Sequence, residues 1–330
     1  MRYSFRDKPL RVFGAPLFDK TGTLERLPEE VRLQVPSLEF LGRRCNGARV
    51  AFCTDSPSVT VTVVYETLNM DVGMSLYQCQ GSYVYIGDRK SPRYAGLVVP
   101  RRYDVREVSE TFRKSDAMEE VMIWLPRNEV IADVFIDLED GARIEAAEDY
   151  TYPVPVVYYG SSITEGAFAC KTSCTYAGYI TRWLDVDHIN LGFSGSARGE
   201  LPIADYIGTL NMSVFVYDYD YNAPNVEHLA ATHEPFFRRI REAHPDLPVV
   251  MVSRPVYQPD SGADRRREVI RRTWQNAVDA GDTKVAFVDG GAFFEGLDPS
   301  ACTNDNVHPN DLGIYCMAEA IAPVVEDFLK

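Results

Sequence analysis

Residues 58–64, SVTVTVV, set Val59, Val61 and Val63 against Thr60 and Thr62, the two-residue period of a strand with one buried face. SLYQCQGSYVYIGD (75–88) and VMIWLPRNEVIADVFIDLEDGARIEAA (121–147) continue in the same way, with Gly and Asp-Gly turns between the apolar runs. This pattern predicts that residues 1–150 form a β-sandwich, jelly-roll-like accessory domain. The stretch EDYTYPVPVVYYG then carries Pro153 and Pro155, which suit an extended linker entering a strand.

Beyond residue 151 the period changes. Strand-like runs at 155–160, 187–191, 213–219, 248–253 and 284–289 alternate with helical patterns over about 174–184, 200–210, 226–243, 263–280 and 311–329. Repeated strand–helix–strand units imply right-handed crossovers and a parallel sheet with helices on both faces, so residues 151–330 read as an α/β domain. Ligands of such sheets bind at the carboxyl ends of the strands, so chemistry belongs in the segments immediately after them.

Those segments are polar and specific. The first is Gly160-Ser161-Ser162-Ile163-Thr164, where a serine in the first helical turn would lie beside free backbone N–H groups; taken alone, without a partner residue, helix capping is the better explanation. The second, NLGFSGSA, carries Gly192 and Gly195, which fit either a tight turn or a backbone N–H brought close to a ligand. The third run ends in Asn222, an amide donor or an Asx-turn residue. In the last, TNDNVHPNDLG, Asp305 and His308 are three apart, so one turn would let the carboxylate meet the imidazole Nδ1–H and leave Nε2 free as a base. Asp311 is the expected N-cap of the final helix. Arg198, Glu200 and Arg254 stand near strand ends, where they are candidate substrate contacts or rim salt bridges.

Taken in order, Ser, Gly, Asn and Asp-x-x-His resemble the four blocks of the SGNH (GDSL-type) hydrolase superfamily over about 154–330. The resemblance assigns the nucleophile to Ser162, the base to His308 and its orienting carboxylate to Asp305. It assigns the oxyanion hole to Ser162, Gly195 and Asn222. Ser161 stands where many members have Asp, and the third block reads Asp-Tyr-Asn222-Ala instead of Gly-Asn-Asp. The first half is similar to a subgroup of bacterial two-domain members with a β-rich N-terminal domain and a Gly-x-Asp-Leu-Tyr segment. Here that segment reads Gly73-Met-Ser75-Leu-Tyr77, which adds Tyr77 as a candidate substrate contact. The implied fold of residues 151–330 is flavodoxin-like, a three-layer α/β/α arrangement. The implied activity is hydrolysis of short-chain esters, acetyl first, of small molecules or oligosaccharides through an acyl-enzyme, with no metal or organic cofactor. Rival readings are a catalytically inactive carbohydrate-binding protein and a thioesterase or lysophospholipase.

Charge and composition narrow the partners. The 330 residues carry 48 acidic and 34 basic side chains, a net charge of −14, which disfavours nucleic acid. The run Arg265-Arg266-Arg267 reads as a solvated helix face, and His188, His228, His233 and His244 read as structural. Seven dispersed cysteines fit buried or half-buried thiols better than a disulfide framework or a zinc site. The N-terminus lacks an apolar signal segment and no run has membrane-spanning length, so the expectation is a cytoplasmic protein without membrane association; a secreted chain with its signal removed would read the same. Monomer and homo-oligomer are both compatible with the sequence.

Overall fold

The structure is a computed structural model that describes residues 1–258 and 261–330. The chain clusters into two compact units. The first comprises residues 1–26, 43–153 and 170–173, and the second residues 27–42, 154–169 and 174–330. Each half of the sequence thus lends a short segment to the other half's unit.

The first unit holds two antiparallel sheets. One orders Arg2–Ser4, Ile131–Leu138, Ser58–Tyr65 and Glu107–Arg113; the other orders Ile144–Ala146, Arg49–Thr54, Glu119–Trp124, Ser82–Ile86 and Arg93–Val98, with Arg11–Phe13 also paired to Arg49–Thr54. Alternation sets the register: Val59, Val61 and Val63 lie opposite Leu138, Ile136 and Val134. These side chains share one core with Val50, Phe52, Val84, Ile86, Val121 and Ile123 of the other sheet. The intervening positions Ala51, Tyr83, Tyr85, Met122 and Trp124 form a second buried cluster with Phe13 and Tyr150, so the larger sheet is covered on both faces.

One expectation fails here. Leu76–Gln80 is a helix, where alternation suggested a strand. Ser75 starts it with a capping box: its Oγ accepts from the Gln78 N–H and the Gln78 carboxamide accepts from the Ser75 N–H (2.9 Å). Local capping overrides a short apolar alternation. Ser75, which replaces the Asp of the resembling segment, thereby keeps the capping role that either side chain can fill.

The second unit is a parallel sheet between helices. Its strands are β1 (Tyr152–Gly160), β2 (Val186–Gly192), β3 (Val214–Asp218), β4 (Val249–Val252) and β5 (Val285–Val288). Their order is β2-β1-β3-β4-β5, with β1–β3, β3–β4 and β4–β5 paired parallel. Strands β3 and β4 are buried along their whole length, as a sheet covered on both faces requires. Helices α1 (Ser162–Glu165), α2 (Tyr176–Leu184), α3 (Leu201–Ile207), α4 (Val226–Ala243), α5 (Ser261–Asp279) and α6 (Asp311–Leu329) connect and cover them. Contacts pair α2 with α6 and join α3 to α4 and α4 to α5, the two helical layers of a flavodoxin-like fold.

Three local expectations need correction. Pro153 and Pro155 already lie in β1, ahead of its first β3-paired residue, Val156, so they remove no donor from that ladder. The N-cap of α6 is Asn310, whose side chain accepts from the Gly313 N–H (3.1 Å); Asp311 is the first helical residue, where its charge suits the helix dipole. Arg266 turns inward: it shares a face with buried Ala263, Ile270 and Thr273, spaced three, four and seven residues away.

Candidate active site

In a sheet ordered 2-1-3-4-5, the connections leave β1 and β3 toward opposite faces and open a crevice between the two strand ends. Gly160, the last residue of β1, lies opposite Asp218, the last of β3. A Cβ at Gly160 would stand 2.0 Å from both the Asp218 carbonyl and Thr164 Oγ1, so this junction closes only around glycine. The backbone then turns directly into α1.

At that turn the two adjacent serines part. Ser161 is fully buried, and its Oγ accepts from the Ile163 N–H (3.2 Å) as the N-cap. Ser162 is the first helical residue, and its Oγ lies 2.8 Å from His308 Nε2. His308 Nδ1 lies 2.7 Å from Asp305 Oδ2. A proton on Nδ1 shared with the carboxylate leaves the Nε2 lone pair facing the serine hydroxyl. Phe168 flanks the imidazole at 5.2 Å between ring centroids.

The loop of residues 303–309 folds around its own side chains. Asp305 Oδ1 accepts from the N–H groups of His308 (2.7 Å) and Val307 (3.0 Å). Thr303 Oγ1 accepts from the Asn306 N–H (2.9 Å) and donates to the His308 carbonyl (2.8 Å). Burial acts to raise the Asp305 pKa, but the hydrogen bonds from His308 and Val307, together with the nearby imidazole, outweigh it and hold the carboxyl below its ordinary range. Asp305 therefore stays an anion and an acceptor.

Three candidate donors lie in the segments that follow β1, β2 and β3. Gly195 has φ +69° with open space where a Cβ would be, so the need for glycine is conformational. Among the described residues no acceptor meets the N–H of Ser162 or of Gly195. The Asn222 Nδ2 donates to the Phe193 carbonyl (2.9 Å), which fixes the orientation of the amide and leaves its second N–H available.

Two groups that sequence reasoning passed over hold these loops. Glu165, fully buried, accepts from both the N–H (3.1 Å) and the hydroxyl of Ser194, the residue before Gly195. Arg266 Nη1 reaches the Asp220 carbonyl (2.7 Å) and Oδ1 (3.1 Å), and its Nη2 the Ala223 carbonyl (2.8 Å), so it clamps the turn that carries Asn222. Asp220 is buried too; desolvation raises its pKa against the opposing pull of Arg266 and Arg254. The helical spacing of Arg266 was readable, whereas nothing in SSITEG distinguishes a buried Glu165 from an ordinary first-turn acid.

The other candidates are dispersed. The carboxylate of Glu200 is engaged, accepting from the Tyr159 hydroxyl (3.1 Å) and the Arg198 N–H (2.9 Å). Exposed Arg198 donates to the Gly195 carbonyl (3.1 Å), and His228 Nε2 lies 2.8 Å from the Arg198 carbonyl. The Arg254 guanidinium covers the Tyr221 ring at 4.9 Å. Tyr77 belongs to the first unit, where it is exposed on the Leu76–Gln80 helix. His233 is fully buried, and desolvation lowers its pKa to about 3, so it is neutral. His188 is buried with Nδ1 2.7 Å from Thr181 Oγ1, and His244 closes the end of α4. All seven cysteines are free thiols, buried or half-buried. Among the described residues no acidic, His or Cys cluster has a metal-holding arrangement, and no helix is long and apolar enough to cross a membrane.

A Ser–His–Asp chain beside unclaimed N–H donors is the equipment of acyl transfer. The sequence profile of the GDSL-like lipase/acylhydrolase family matches residues 154–326. The chain belongs to this family. The profile of the N-terminal part of SGNH-hydrolase-type esterases matches residues 3–144 of this GDSL-like protein. No curated protein sequence matches it. Among solved structures it resembles a Bacteroides ovatus protein assigned as a GDSL-like lipase (TM-score 0.89, 21% identity, 100% of this chain and 98% of that one). It also resembles the salicylyl-acyltransferase SsfX3 of a tetracycline biosynthetic pathway (0.78, 21%, 98% and 97%). A third is a family two carbohydrate esterase from Cellvibrio japonicus (0.66, 12%, 100% and 99%). Membership of the family makes this chain an esterase-type hydrolase, and the solved structures share its fold.

Proposed function

We propose that this GDSL-like hydrolase cleaves short-chain carboxylic esters, acetyl esters first, by a covalent acyl-enzyme on Ser162. His308 takes the Ser162 proton through Nε2 as Oγ attacks the ester carbonyl. The resulting imidazolium is held by ionised Asp305. The oxyanion of the tetrahedral intermediate accepts from the N–H groups of Ser162 and Gly195 and from the second amide N–H of Asn222. The intermediate collapses by giving the proton on Nε2 to the leaving alcohol; water then repeats the sequence and releases the acid. The observation that carries this reading is the unbroken line Ser162 Oγ, His308, Asp305, with contacts of 2.8 and 2.7 Å.

Carbohydrate as the alcohol is supported by the likeness to a carbohydrate esterase and by exposed polar groups such as Arg198 on the loop after β2. The test is turnover of p-nitrophenyl acetate by the wild type, Ser162→Ala and Ser161→Ala, with circular dichroism confirming that each folds. Loss of about 10³-fold or more in Ser162→Ala, with Ser161→Ala within roughly tenfold of wild type, is expected. Equal activity of Ser162→Ala and wild type would remove the nucleophile from the scheme.

A further inference from the structure

Beside the triad loop lies a cleft of about 320 Å³, walled by Tyr221, Arg254, Val256, Tyr257, Asn306 and Val307. Tyr221 directly precedes Asn222, and Asn306 and Val307 lie between Asp305 and His308, so both walls continue into the proposed machinery. A volume near 300 Å³ is where pockets for whole small molecules begin, and an acetyl group would leave most of it empty.

The walls are set in place. Tyr257 is buried and stacks on Phe294 at 5.1 Å and 20°. The Tyr221 hydroxyl donates to the Pro255 carbonyl (3.0 Å), and the Arg254 guanidinium lies over its ring. Pro255, Gln258 and Ala263 complete the lining, so six of its nine residues are apolar or aromatic and three, Arg254, Gln258 and Asn306, are polar. A pyranose carries a hydroxyl on most of its carbons, each needing a partner once buried, and this lining supplies few. A flat ring with few polar substituents matches the aromatic and aliphatic walls.

We propose that this cleft binds an aryl ring carried by the ester, an inference that rests on the Ser162 hydrolase reading above and sets an aromatic ester in place of the acetylated carbohydrate as preferred substrate. The ring can arrive on the acyl side or on the alcohol side, and a set of unactivated esters separates the two. Ethyl acetate carries no ring, benzyl acetate carries it on the alcohol, and ethyl phenylacetate carries it on the acyl group. One of the two ring esters is expected to exceed ethyl acetate in kcat/KM by about tenfold or more. Val256→Trp, which fills the cleft, is expected to reduce that ratio by about tenfold, and Val307→Trp serves if Val256→Trp fails to fold. A ratio near one in the wild type, a ratio unmoved by filling the cleft, or a preference for an acetylated methyl glucoside over both ring esters overturns the proposal. Binding separates its failure from that of the hydrolase reading. Benzyl alcohol or phenylacetate should give saturation-transfer NMR signals with Ser162→Ala that vanish in Ser162→Ala/Val256→Trp. Such signals without hydrolysis of any ester would retain the ring site and reject the hydrolase reading, whereas absence of signal with both ligands rejects the ring site.

Discussion

Both units bury charged side chains against irregular backbone, and what differs is the cargo of the loops they hold. In the α/β unit, Glu165 fixes Ser194, the residue before Gly195, and Arg266 fixes the turn of Asp220 to Ala223, which carries Asn222. In the β-sandwich unit, Glu129 accepts from the Asn69 N–H (2.8 Å), the Thr67 hydroxyl (2.8 Å) and the Gln80 amide (3.0 Å), while Arg127 pairs with Asp71. That second loop presents Met70 and Val72, the latter 98% exposed, with no nucleophile–base pair among its side chains. Buried charge therefore marks a positioned loop in either unit, and convergence of a nucleophile, a base and open donors is what marks the candidate site.

The largest effect is expected on the triad, where Asp305→Asn should lower kcat by about 10³–10⁴-fold, since an amide cannot hold the imidazolium or its tautomer. In the wild type the acid side of the kcat/KM profile should carry no titration of Asp305, because its pKa is held below the ordinary range and it stays ionised. A carboxylate titration within or above that ordinary range would contradict the charge assigned to Asp305. Next, Asn222→Ala should cost about 10²–10³-fold in kcat with little change in KM, because the lost donor acts on the transition state. A change confined to KM would make Asn222 a substrate-binding residue.

Smaller effects separate the two bracing devices. Arg266→Met removes the ion-pair partner of buried Asp220, which keeps the Arg254 N–H (3.2 Å), and chemical denaturation should show about 3 kcal/mol lost, with kcat falling as the Asn222 turn loosens. A variant as stable as wild type would show that the pair braces nothing. In the sandwich, Glu129→Gln should act on stability and its pH dependence. Burial raises the Glu129 pKa, outweighing its hydrogen bonds, so the stability this group contributes is complete below the ordinary glutamate range and declines as pH rises through its folded value. The Gln variant lacks that decline. Parallel stability–pH curves for variant and wild type would refute the assignment.

The legibility of the sequence follows the same division. Helix α4 (226–243) and helix α6 (311–329) match their expected limits, and the five strands of the parallel sheet fall where the apolar runs stand, because repeated buried elements impose long patterns. Ser162, Asp305 and His308 were readable from the order of their segments along the α/β half and from the family resemblance that order carries. The Leu76–Gln80 helix was not readable, since a capping box outweighed a few alternating residues. Glu165 was equally hidden: its role arises only when Ser194, distant in sequence, folds back onto it. The segments exchanged between units, 27–42 and 170–173, carry no compositional mark that would announce them.

The central claim is that Ser162 is an activated nucleophile, and covalent labelling tests it most directly. Intact-mass spectrometry of the folded protein after treatment with a fluorophosphonate should show one adduct, mapped to Ser162 by peptide fragmentation and absent from Ser162→Ala. The adduct should form far more slowly in Asp305→Asn. An unlabelled wild type, or an adduct that persists in Ser162→Ala, would contradict the account.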